Sequence, residues 1–368
     1  MSTTRADYPV TPTALPTWSL KSERGRWALL AMLGLALIGV SLGAIGLGAV
    51  SVSAREILAV LAERVGLGTA EVSALREAVV LNIRLPRVVL GILVGGGLAV
   101  AGAAMQGLFR NPLADPGIIG VSSGGAIGAI TMIVLGVKLL PPDLYATFGP
   151  YLVPVAAMGG AMGMTFLIYR LARSGGRVDL VSMLLVGIAI NAIGGAFMGF
   201  LSYIATDEQL RSLTFWSLGS LGRADWELIR AGSLFILVPL CWLPFFSREL
   251  NALLLGEEEA QHLGIDVTRA KRKLIVLAAS LVGAATALCG AIGFIALVVP
   301  HMVRSLIGPD HRFLLPASAL LGGVLLLLAD MVARTVVAPA ELPIGILTSL
   351  LGGPVFLGLL LRRQRLVG

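Results

Sequence analysis

Few residues of this chain occur in patterns that could carry out chemistry, and the most suggestive pattern centres on a serine. Residues 120–124 read Gly-Val-Ser-Ser-Gly and match GxSxG, in which a nucleophilic serine lies on a turn between a strand and a helix. Ser122 and His301 are both expected near the cytoplasmic ends of their segments, so a serine hydrolase is one alternative. The glycine-rich, apolar surroundings instead predict a membrane helix. An unaffected Ser122→Ala mutant would exclude the hydrolase.

Motifs for nucleotide and metal chemistry are absent from the sequence. There is no GxxxxGK[ST] phosphate loop and no HExxH motif, so we expect no P-loop binding of ATP in this chain. His262, His301 and His311 lack metal-ligand spacing. Cys241 and Cys289 lie in apolar runs without a CxxC motif and are expected to be packing residues. We therefore expect no resident metal or cofactor, and a bulky chelate suits the chain better as a substrate than a bare metal ion.

Asp330 is the only acidic residue that falls inside a predicted membrane span. A charge at membrane depth is costly unless it is paired, so such a residue is by default a functional candidate. Arg334 follows one helical turn later and could pair with it. We favour a structural role, in which Asp330 accepts hydrogen bonds from neighbouring helix backbone or hydroxyl groups. A proton carrier in a secondary transporter is the alternative.

A long polar segment, residues 248–273, is the most informative stretch. Residues 257–263 predict a short amphipathic helix with acids in its first turn, where they suit the helix dipole. Gly264 is expected to end this helix, and Asp266 to cap a second one over residues 267–273. Two short helices at an angle would form a rigid knob at the membrane surface. The alternative is a solvated loop with snorkelling lysines.

The composition identifies the class of protein that carries these residues. Of the 368 residues, 57% are hydrophobic and 13% are charged, and the mean hydropathy is +0.91. Soluble domains carry about 25% charged residues. The 46 glycines agree with the higher glycine content of membrane helices. These values exclude a soluble enzyme, a nucleic-acid-binding domain, a disulfide scaffold and a disordered chain, and they predict an all-α polytopic membrane protein.

Runs of about 20 apolar residues are long enough to cross a bilayer as helices. The run at 274–307 would form a helix about 51 Å long, which is too long for one crossing, so we divide it at Gly290 and Gly293 and expect one half to lie among other helices. This gives ten predicted spans: 27–50, 88–109, 117–137, 151–169, 180–204, 228–247, two within 274–307, 313–333 and 342–361.

The distribution of basic residues predicts the orientation. With both termini in the cytoplasm, 18 of the 28 basic residues lie on the cytoplasmic side, as the positive-inside rule requires. The net charge of +7 thus reflects membrane insertion and gives no reason to expect nucleic-acid binding. Residues 1–26 are expected to form a cytoplasmic leader that is not a cleaved signal peptide, residues 27–362 the membrane domain, and residues 363–368 a cytoplasmic tail.

Small residues recur every four positions in two predicted spans. Gly91, Gly95, Ala99, Ala103 and Gly107 form one stripe, and Gly120, Gly124 and Gly128 form another. Such stripes let a second helix backbone approach closely, so they predict a tightly packed bundle.

Short motifs are spread in order along residues 27–361. They are Arg84-Leu-Pro-Arg87, Gly102-Ala-Ala-Met-Gln106, Asn111-Pro-Leu-Ala-Asp-Pro116, Gly120-Val-Ser-Ser123, Leu255-Gly256, Leu263-Gly264, Gly290-Ala-Ile-Gly-Phe294, Pro300-His301, Asp310-His-Arg312, Leu328-Ala-Asp330, Arg334 and Glu341-Leu-Pro343. In these motifs and their order, the chain resembles the permease subunits of ABC importers for iron siderophores, haem and cobalamin.

The resemblance implies an architecture and a set of partners. Such permeases have ten membrane helices, pair as homodimers and enclose the pathway between the two copies, with the fifth and tenth spans expected to line it. Two ATPase subunits, which carry the ATP and Mg²⁺, bind the cytoplasmic face, and a periplasmic binding protein delivers the substrate. The expected location is the bacterial inner membrane.

The resemblance also implies roles for individual residues. The knob is expected to couple the permease to the ATPase through Glu257, Glu258, Glu259, Ala260, His262, Leu263, Gly264, Asp266 and Arg269. Three arginines near the outer ends of their spans, Arg84, Arg87 and Arg334, are expected to receive acidic residues of the binding protein. Asp330, Gln106, Asn111 and Pro112 are expected to be structural, and the serine motif to have no catalytic role.

The function expected from the sequence is therefore that of a transport subunit rather than an enzyme. ATP hydrolysis on the partner would drive alternating access and move an iron chelate, haem or a ferric siderophore, from periplasm to cytoplasm. Cobalamin is an alternative substrate. A proton-coupled secondary transporter is an alternative of another class, which ATP-driven uptake with the proton gradient collapsed would exclude.

Overall fold

The computed structural model describes residues 22–48, 50–67, 72–174 and 177–367, and the described chain is almost entirely helical. This confirms the predicted all-α fold class. The helices are α1 Glu23–Gly46, α2 Ala54–Arg64, α3 Ala74–Ala78, α4 Leu85–Leu108, α5 Val121–Leu139, α6 Pro142–Leu171, α7 Leu180–Ile204, α8 Asp207–Ser217, α9 Trp226–Trp242, α10 Ser247–Leu255, α11 Glu257–His262, α12 Val267–Cys289, α13 Ile295–Ile307, α14 His311–Ala333 and α15 Ile344–Val367. Two antiparallel two-residue strands, β1 Arg173–Ser174 and β2 Arg177–Val178, precede α7.

Eight helical runs in the described residues are long and apolar enough to cross a membrane. Two of them join neighbouring helices: a π-helical segment, Val79–Arg84, connects α3 to α4, and a 3₁₀ segment, Leu243–Phe246, connects α9 to α10. Two shorter apolar helices, Ile295–Ile307 and Ile344–Gly358, account for the remaining predicted spans. The leader's residues 1–21 lie outside the described residues, and helix α1 already includes residues 23–26. Residues 363–367 of the predicted tail continue α15.

The long apolar run at 274–307 is broken as predicted, but into unequal parts. Helix α12 extends over 23 residues from Val267 to Cys289, and α13 has only 13 residues, about 20 Å. The break is imposed by Gly290 at φ +74°, where a side chain would collide with the Trp216 carbonyl, and by Phe294 at φ +66°. Helix α13 is too short to cross alone and buries about half of its residues, which confirms that one part lies among other helices.

Both glycine stripes form close helix contacts. Along α4, a Cβ at Gly95 would collide with the Gly322 carbonyl of α14, and a Cβ at Gly102 would collide with the Ala296 carbonyl of α13. Along α5, Gly124 and Gly128 meet the backbone of α6 in the same way. The predicted tight packing is confirmed, and α4 becomes the central helix, with 83% of its most apolar window buried.

Candidate functional site: an arginine cluster and a helical knob

Arg87 lies at the start of α4 and binds two carboxylates. Its Nε and Nη2 donate to Asp330 of α14 at 2.9–3.1 Å, and its Nη1 and Nη2 donate to Glu341 at 2.9 and 3.0 Å. Asp330 is 1% exposed and Arg87 is 8% exposed. The guanidinium fork therefore holds α4, α14 and the segment before α15 together, in the bidentate geometry that strengthens charged hydrogen bonds.

Asp330 is satisfied by arginine side chains. The predicted pairing with Arg334 occurs, but it is the longer contact, at 3.7 Å from Nε to Oδ2. The main partner is Arg87, 243 positions away in sequence, which the sequence reasoning did not identify. The expectation of backbone or hydroxyl donors to Asp330 is therefore wrong, because the guanidinium of Arg87 occupies the carboxylate.

Arg84 and Arg334 cap the carboxyl end of α1. Arg84 Nη1 donates to the carbonyls of Ile45 and Gly46 at 2.5 and 3.0 Å, and its Nη2 donates to the Val50 carbonyl. Arg334 Nη2 donates to the Ala44 carbonyl. The last carbonyls of a helix lack intrahelical donors and carry partial negative charge, so cations are stabilising there.

These contacts place the three predicted docking arginines inside the protein. Arg84 is 5% exposed and Arg87 is 8% exposed, so internal partners already hold these side chains, and docking of the binding protein at them stays a prediction. We name Arg84, Arg87, Asp330, Arg334 and Glu341 the arginine cluster. Its three cations and two anions leave a net charge of +1. The side chain of Glu341 is 46% exposed, and hydrogen bonds from Arg87 lower its pKa below the usual range. Glu341 is therefore the member of the arginine cluster that a partner outside the protein can reach.

Gln106, Asn111 and Pro112 lie at the other end of α4. The buried Gln106 side chain donates to the Leu297 carbonyl at 3.0 Å and accepts from Arg304 Nη1 at 3.0 Å, which ties α4 to α13. Asn111 is exposed and its side-chain oxygen accepts from the Leu113 backbone N–H at 3.0 Å, while Pro112 is half-buried. Gln106 thus has a packing role in the bundle, and Asn111 shapes the turn after α4.

The serine motif lacks the setting that a nucleophile requires. A 3₁₀ turn, Pro116–Ile119, precedes it in place of a strand, and Gly120 at φ +76° starts α5. Asp115 caps the turn by accepting from the Gly117 N–H at 2.7 Å, and burial raises the pKa of Asp115. Ser122 lies in the first turn of α5, so the strand–turn–helix elbow of a hydrolase is not formed.

The knob, residues 257–273, is built differently from its prediction. Helix α11 ends near Gly264, which has φ +80°, and Asp266 caps the next helix by accepting from the Arg269 N–H at 3.0 Å. That helix is not a separate short element, because its residues form the first turns of the continuous α12. Residues 248–255, which precede the knob, form α10.

Lys271 fastens the knob internally. Its Nζ lies 2.6 Å from Glu257 Oε1 of α11 and donates to the Val178 carbonyl at 3.2 Å. Lys271 is 4% exposed, so this is a largely buried contact. Ala260 of α11 is fully buried, so this helix packs on the rest of the protein through that side chain. The knob therefore moves as one body with the start of α12.

The outer surface of the knob is mixed in character. Exposed residues include Glu258, Glu259, His262, Leu263, Gly264, Asp266 and Arg269. Leu263 is 54% exposed.

Asp310 connects the helix before the knob to the bundle. It accepts from Asn251 Nδ2 of α10 at 2.8 Å, from Arg312 Nη2 at 2.8 Å and from Arg26 Nη1 at 3.4 Å. The His311 N–H in turn donates to Asn251 Oδ1 at 2.9 Å. Although burial opposes it, hydrogen bonds from Arg312 and Asn251 lower the pKa of Asp310 to about 2. This network joins α1, α10 and α14.

The predicted pathway helices α7 and α15 present wide apolar faces. Only 17% of the most apolar window of α7 is buried. Its exposed side chains include Val181, Leu185, Ile188, Ile193, Phe200 and Tyr203, and those of α15 include Leu350, Leu351, Val355 and Leu357. Lining of a pathway by these faces stays a prediction. Among the described residues, no group of three His, Cys, Asp or Glu side chains could hold a metal ion.

Comparison with known proteins identifies the group to which this chain belongs. The hemin transport system permease protein HmuU of Yersinia pestis is 53% identical over 285 residues, which cover 77% of this chain and 83% of that protein. The vitamin B12 import system permease protein BtuC of Salmonella typhimurium is 42% identical over 294 residues, covering 80% and 86%. The cobalamin import system permease protein BtuC of Halobacterium salinarum is 43% identical over 288 residues, covering 78% and 74%.

A solved structure and a family profile agree with these relatives. An inward-facing structure, described as that of a metal-chelate type ABC transporter, matches with a TM-score of 0.78 and 33% identity, over 91% of this chain and 99% of that chain. Residues 35–362 match the FecCD transport family, so the match includes both the arginine cluster and the knob. The chain belongs to the FecCD transport family.

Proposed function

We propose that this chain is the membrane-spanning permease subunit of an ATP-driven importer and that its substrate is an iron chelate, with haem first. The observation that carries the proposal is the 53% identity with a hemin permease, against 42–43% for the cobalamin permeases. Cobalamin is the second candidate, because those relatives match a similar share of the chain.

The proposed assembly contains two copies of the chain, two ATPase subunits and a binding protein. The protein is multi-pass in the bacterial inner membrane, with both termini and the knob in the cytoplasm. The arginine cluster then faces the periplasm, since Arg87 starts α4 while Gly107, near its other end, contacts Leu250 of α10 beside the knob. The ATPases bind the knob, and they supply the ATP and Mg²⁺ chemistry.

The mechanism that we propose passes motion from the knob along α12. This helix is continuous over 23 residues, about 34 Å, so a displacement of the knob reaches Cys289 at the far end. There the Cys289 carbonyl accepts from the Ser220 N–H at 2.7 Å. The neighbouring carbonyls of Leu218 and Gly219 accept from the first residues of α15 at 2.9 and 3.1 Å. A rigid lever and a hydrogen-bonded joint thus connect the ATPase side to a proposed pathway helix.

Docking of the binding protein is proposed at the arginine cluster. Arg84 and Arg334 donate their hydrogen bonds to carbonyls at the end of α1. Arg87 is therefore the guanidinium best placed to donate to a carboxylate of the binding protein. Its bond to the half-exposed Glu341 is the one that an incoming carboxylate can replace, while the buried bond to Asp330 stays in place. In this proposal a carboxylate of the binding protein replaces Glu341 as a hydrogen-bond partner of Arg87. The docking arginine is therefore already paired before the binding protein arrives.

A reconstituted system tests the function. Proteoliposomes that contain this chain, its ATPase and its binding protein are loaded with ATP, and uptake of haem, a ferric siderophore and cobalamin is compared. We expect haem uptake to be highest and to persist after a protonophore collapses the proton gradient. Uptake that follows the gradient and ignores ATP would instead support the proton-coupled alternative centred on Asp330.

A further inference from the structure

A two-part cleft lies between α6, α9 and α12, away from the knob, and one part adjoins the arginine cluster because Glu341 belongs to its wall. One part is a cavity of about 390 Å³ with polar side chains in its wall, among them Ser220, Arg223 and Glu341. The other is a groove of about 320 Å³ with an almost wholly apolar wall. Both parts share Pro154, Leu228, Ala287 and Leu288, so the polar cavity continues directly into the apolar groove.

The groove lies on the outer surface of the helix bundle. Helices α6 and α9 both pack on α12, and each has only 22% of its most apolar window buried. Ala284 and Leu288 of α12 form the floor, while Val155 and Phe235 on the walls are exposed. In a bilayer this groove opens to lipid, along about 12 Å from Tyr151 to Gly159.

The mouth of the groove lies at the level of the membrane interface. The Tyr151 hydroxyl donates to Glu227 Oε2 at 2.9 Å and bridges α6 to the first turn of α9, next to Trp226. Tyrosine and tryptophan are enriched at the headgroup level of membranes. The apolar groove therefore runs inward from this level, and the polar cavity lies beside its mouth.

Arg223 provides the charge in the polar cavity. It is exposed, and no carboxylate among the described residues lies within ion-pair distance of its guanidinium. Glu341, the acid in the same wall, is already bonded to Arg87. An available guanidinium is suited to bind a phosphate.

We propose that this cleft is a phospholipid-binding site, with one acyl chain in the apolar groove and the phosphate at Arg223. The occupant comes from the surrounding bilayer, because the groove opens to lipid and its charged end lies at headgroup level. The site goes beyond the transport function and does not depend on it.

Native mass spectrometry of the full chain tests the site. The protein is equilibrated with vesicles of phosphatidylglycerol and phosphatidylethanolamine and repurified, and the phospholipid retained per chain is counted. Gly159→Leu adds a side chain to the wall of the groove, at a position where nothing lies within 4 Å of the added Cβ. We expect about fifteenfold lower retention, since the leucine displaces about two methylenes and each is worth roughly fourfold in affinity.

The control variant is Gly163→Leu, one turn further along α6. This glycine is also exposed and also has open space at its Cβ, but it does not line the cleft. Retention by Gly163→Leu should equal that of the wild type. Equal retention by Gly159→Leu and wild type would overturn the proposal, as would copurified haem in place of phospholipid.

A second pair of variants tests the charged end independently of the groove. Arg223→Gln should lose retention, most strongly for the anionic phosphatidylglycerol, while Arg211→Gln on α8 should not. Arg211 is likewise exposed but lies outside the cleft. If Arg223→Gln retains both lipids as the wild type does, the assignment of the phosphate to Arg223 is wrong.

Discussion

Arg87 donates hydrogen bonds to two carboxylates that reach it from distant parts of the chain. Asp330 is buried and Glu341 is half-exposed, so the same guanidinium has one permanent and one replaceable partner. Removing one partner of a buried ion pair leaves the other charge uncompensated, which costs more than the pair contributes. The two carboxylates are therefore expected to respond differently to substitution.

Arg87→Gln should destabilise the fold by about 3–5 kcal/mol, because the Asp330 carboxylate is left buried and unpaired. The measurement is thermal unfolding in detergent. Adding Asp330→Asn to the same chain should restore much of the loss, since it removes the stranded charge. A single mutant as stable as the wild type would mean that water or Arg334 compensates Asp330.

Glu341→Gln should strengthen binding of the binding protein, because the internal competitor for Arg87 is weakened. Fold stability should change little, since the Glu341 side chain is 46% exposed. Affinity in nanodiscs is the measurement, and the gain should shrink with added salt. Unchanged affinity in Glu341→Gln beside reduced affinity in Arg87→Gln would disprove the exchange while sparing Arg87 as a docking residue.

Helix α12 begins in the knob and ends inside the bundle, so one continuous helix contains both the exposed residues of the knob and buried residues of the core. The local pattern predicts two separate parts, because the basic cluster at 269–273 resembles the polar end of a short helix. The cap at Asp266 and the bend at Gly264 were predictable from local chemistry. The continuation was not, because Lys271 is buried by contacts with β2 and α11 that no local pattern reveals.

Lys271→Met should uncouple ATP hydrolysis from uptake. It keeps the length of the side chain but removes the bonds to Glu257 and the Val178 carbonyl, so α11 loses its tie to α12. Uptake and ATPase rate are measured in the same proteoliposomes, and we expect hydrolysis to continue while uptake falls. Arg272→Met is the matched control, because Arg272 is exposed on the same helix. An equal ratio of uptake to ATP hydrolysis in the two variants would refute the proposal that α12 transmits the motion of the knob.

Gly102→Ala should destabilise the bundle by about 1–3 kcal/mol, because the added methyl overlaps the Ala296 carbonyl where α4 meets α13. Gly199→Ala on α7 is the control, since its Cβ position is open and alanine favours helix. Thermal unfolding of both variants provides the comparison. If Gly102→Ala unfolds at the same temperature as the wild type, α13 must shift easily against α4.

The bundle as a whole was more predictable than the contacts inside it. Apolar length located the spans, and four-residue glycine spacing predicted close helix contacts, although the structure was needed to show that α14 packs on α4 and α6 on α5. The pairing of Arg87 with Asp330 could not be read from sequence, because nothing local joins positions separated by 243 residues. For the same reason, no local pattern indicated that Arg84 and Arg334 donate to the last carbonyls of α1.

The proposed orientation can be tested with a chain that lacks Cys241 and Cys289. A cysteine at exposed Glu258 should react with a membrane-impermeant maleimide only in inside-out vesicles, and one at exposed Ser73 only in right-side-out vesicles. The excess of basic residues on the knob side is the physical reason. The reverse labelling pattern would place the knob in the periplasm and exclude its role in ATPase binding.

The end of α1 receives its hydrogen bonds from parts of the chain that are made much later. Arg84 is synthesised 39 residues after Ile45, but Arg334 follows Ala44 by 290 residues. At 5–20 residues per second, a ribosome takes about 15–60 s to cover that interval. Until then the Ala44 carbonyl lacks its final donor, so the hydrogen bonds at the end of α1 are completed only when the chain that follows α14 has been made.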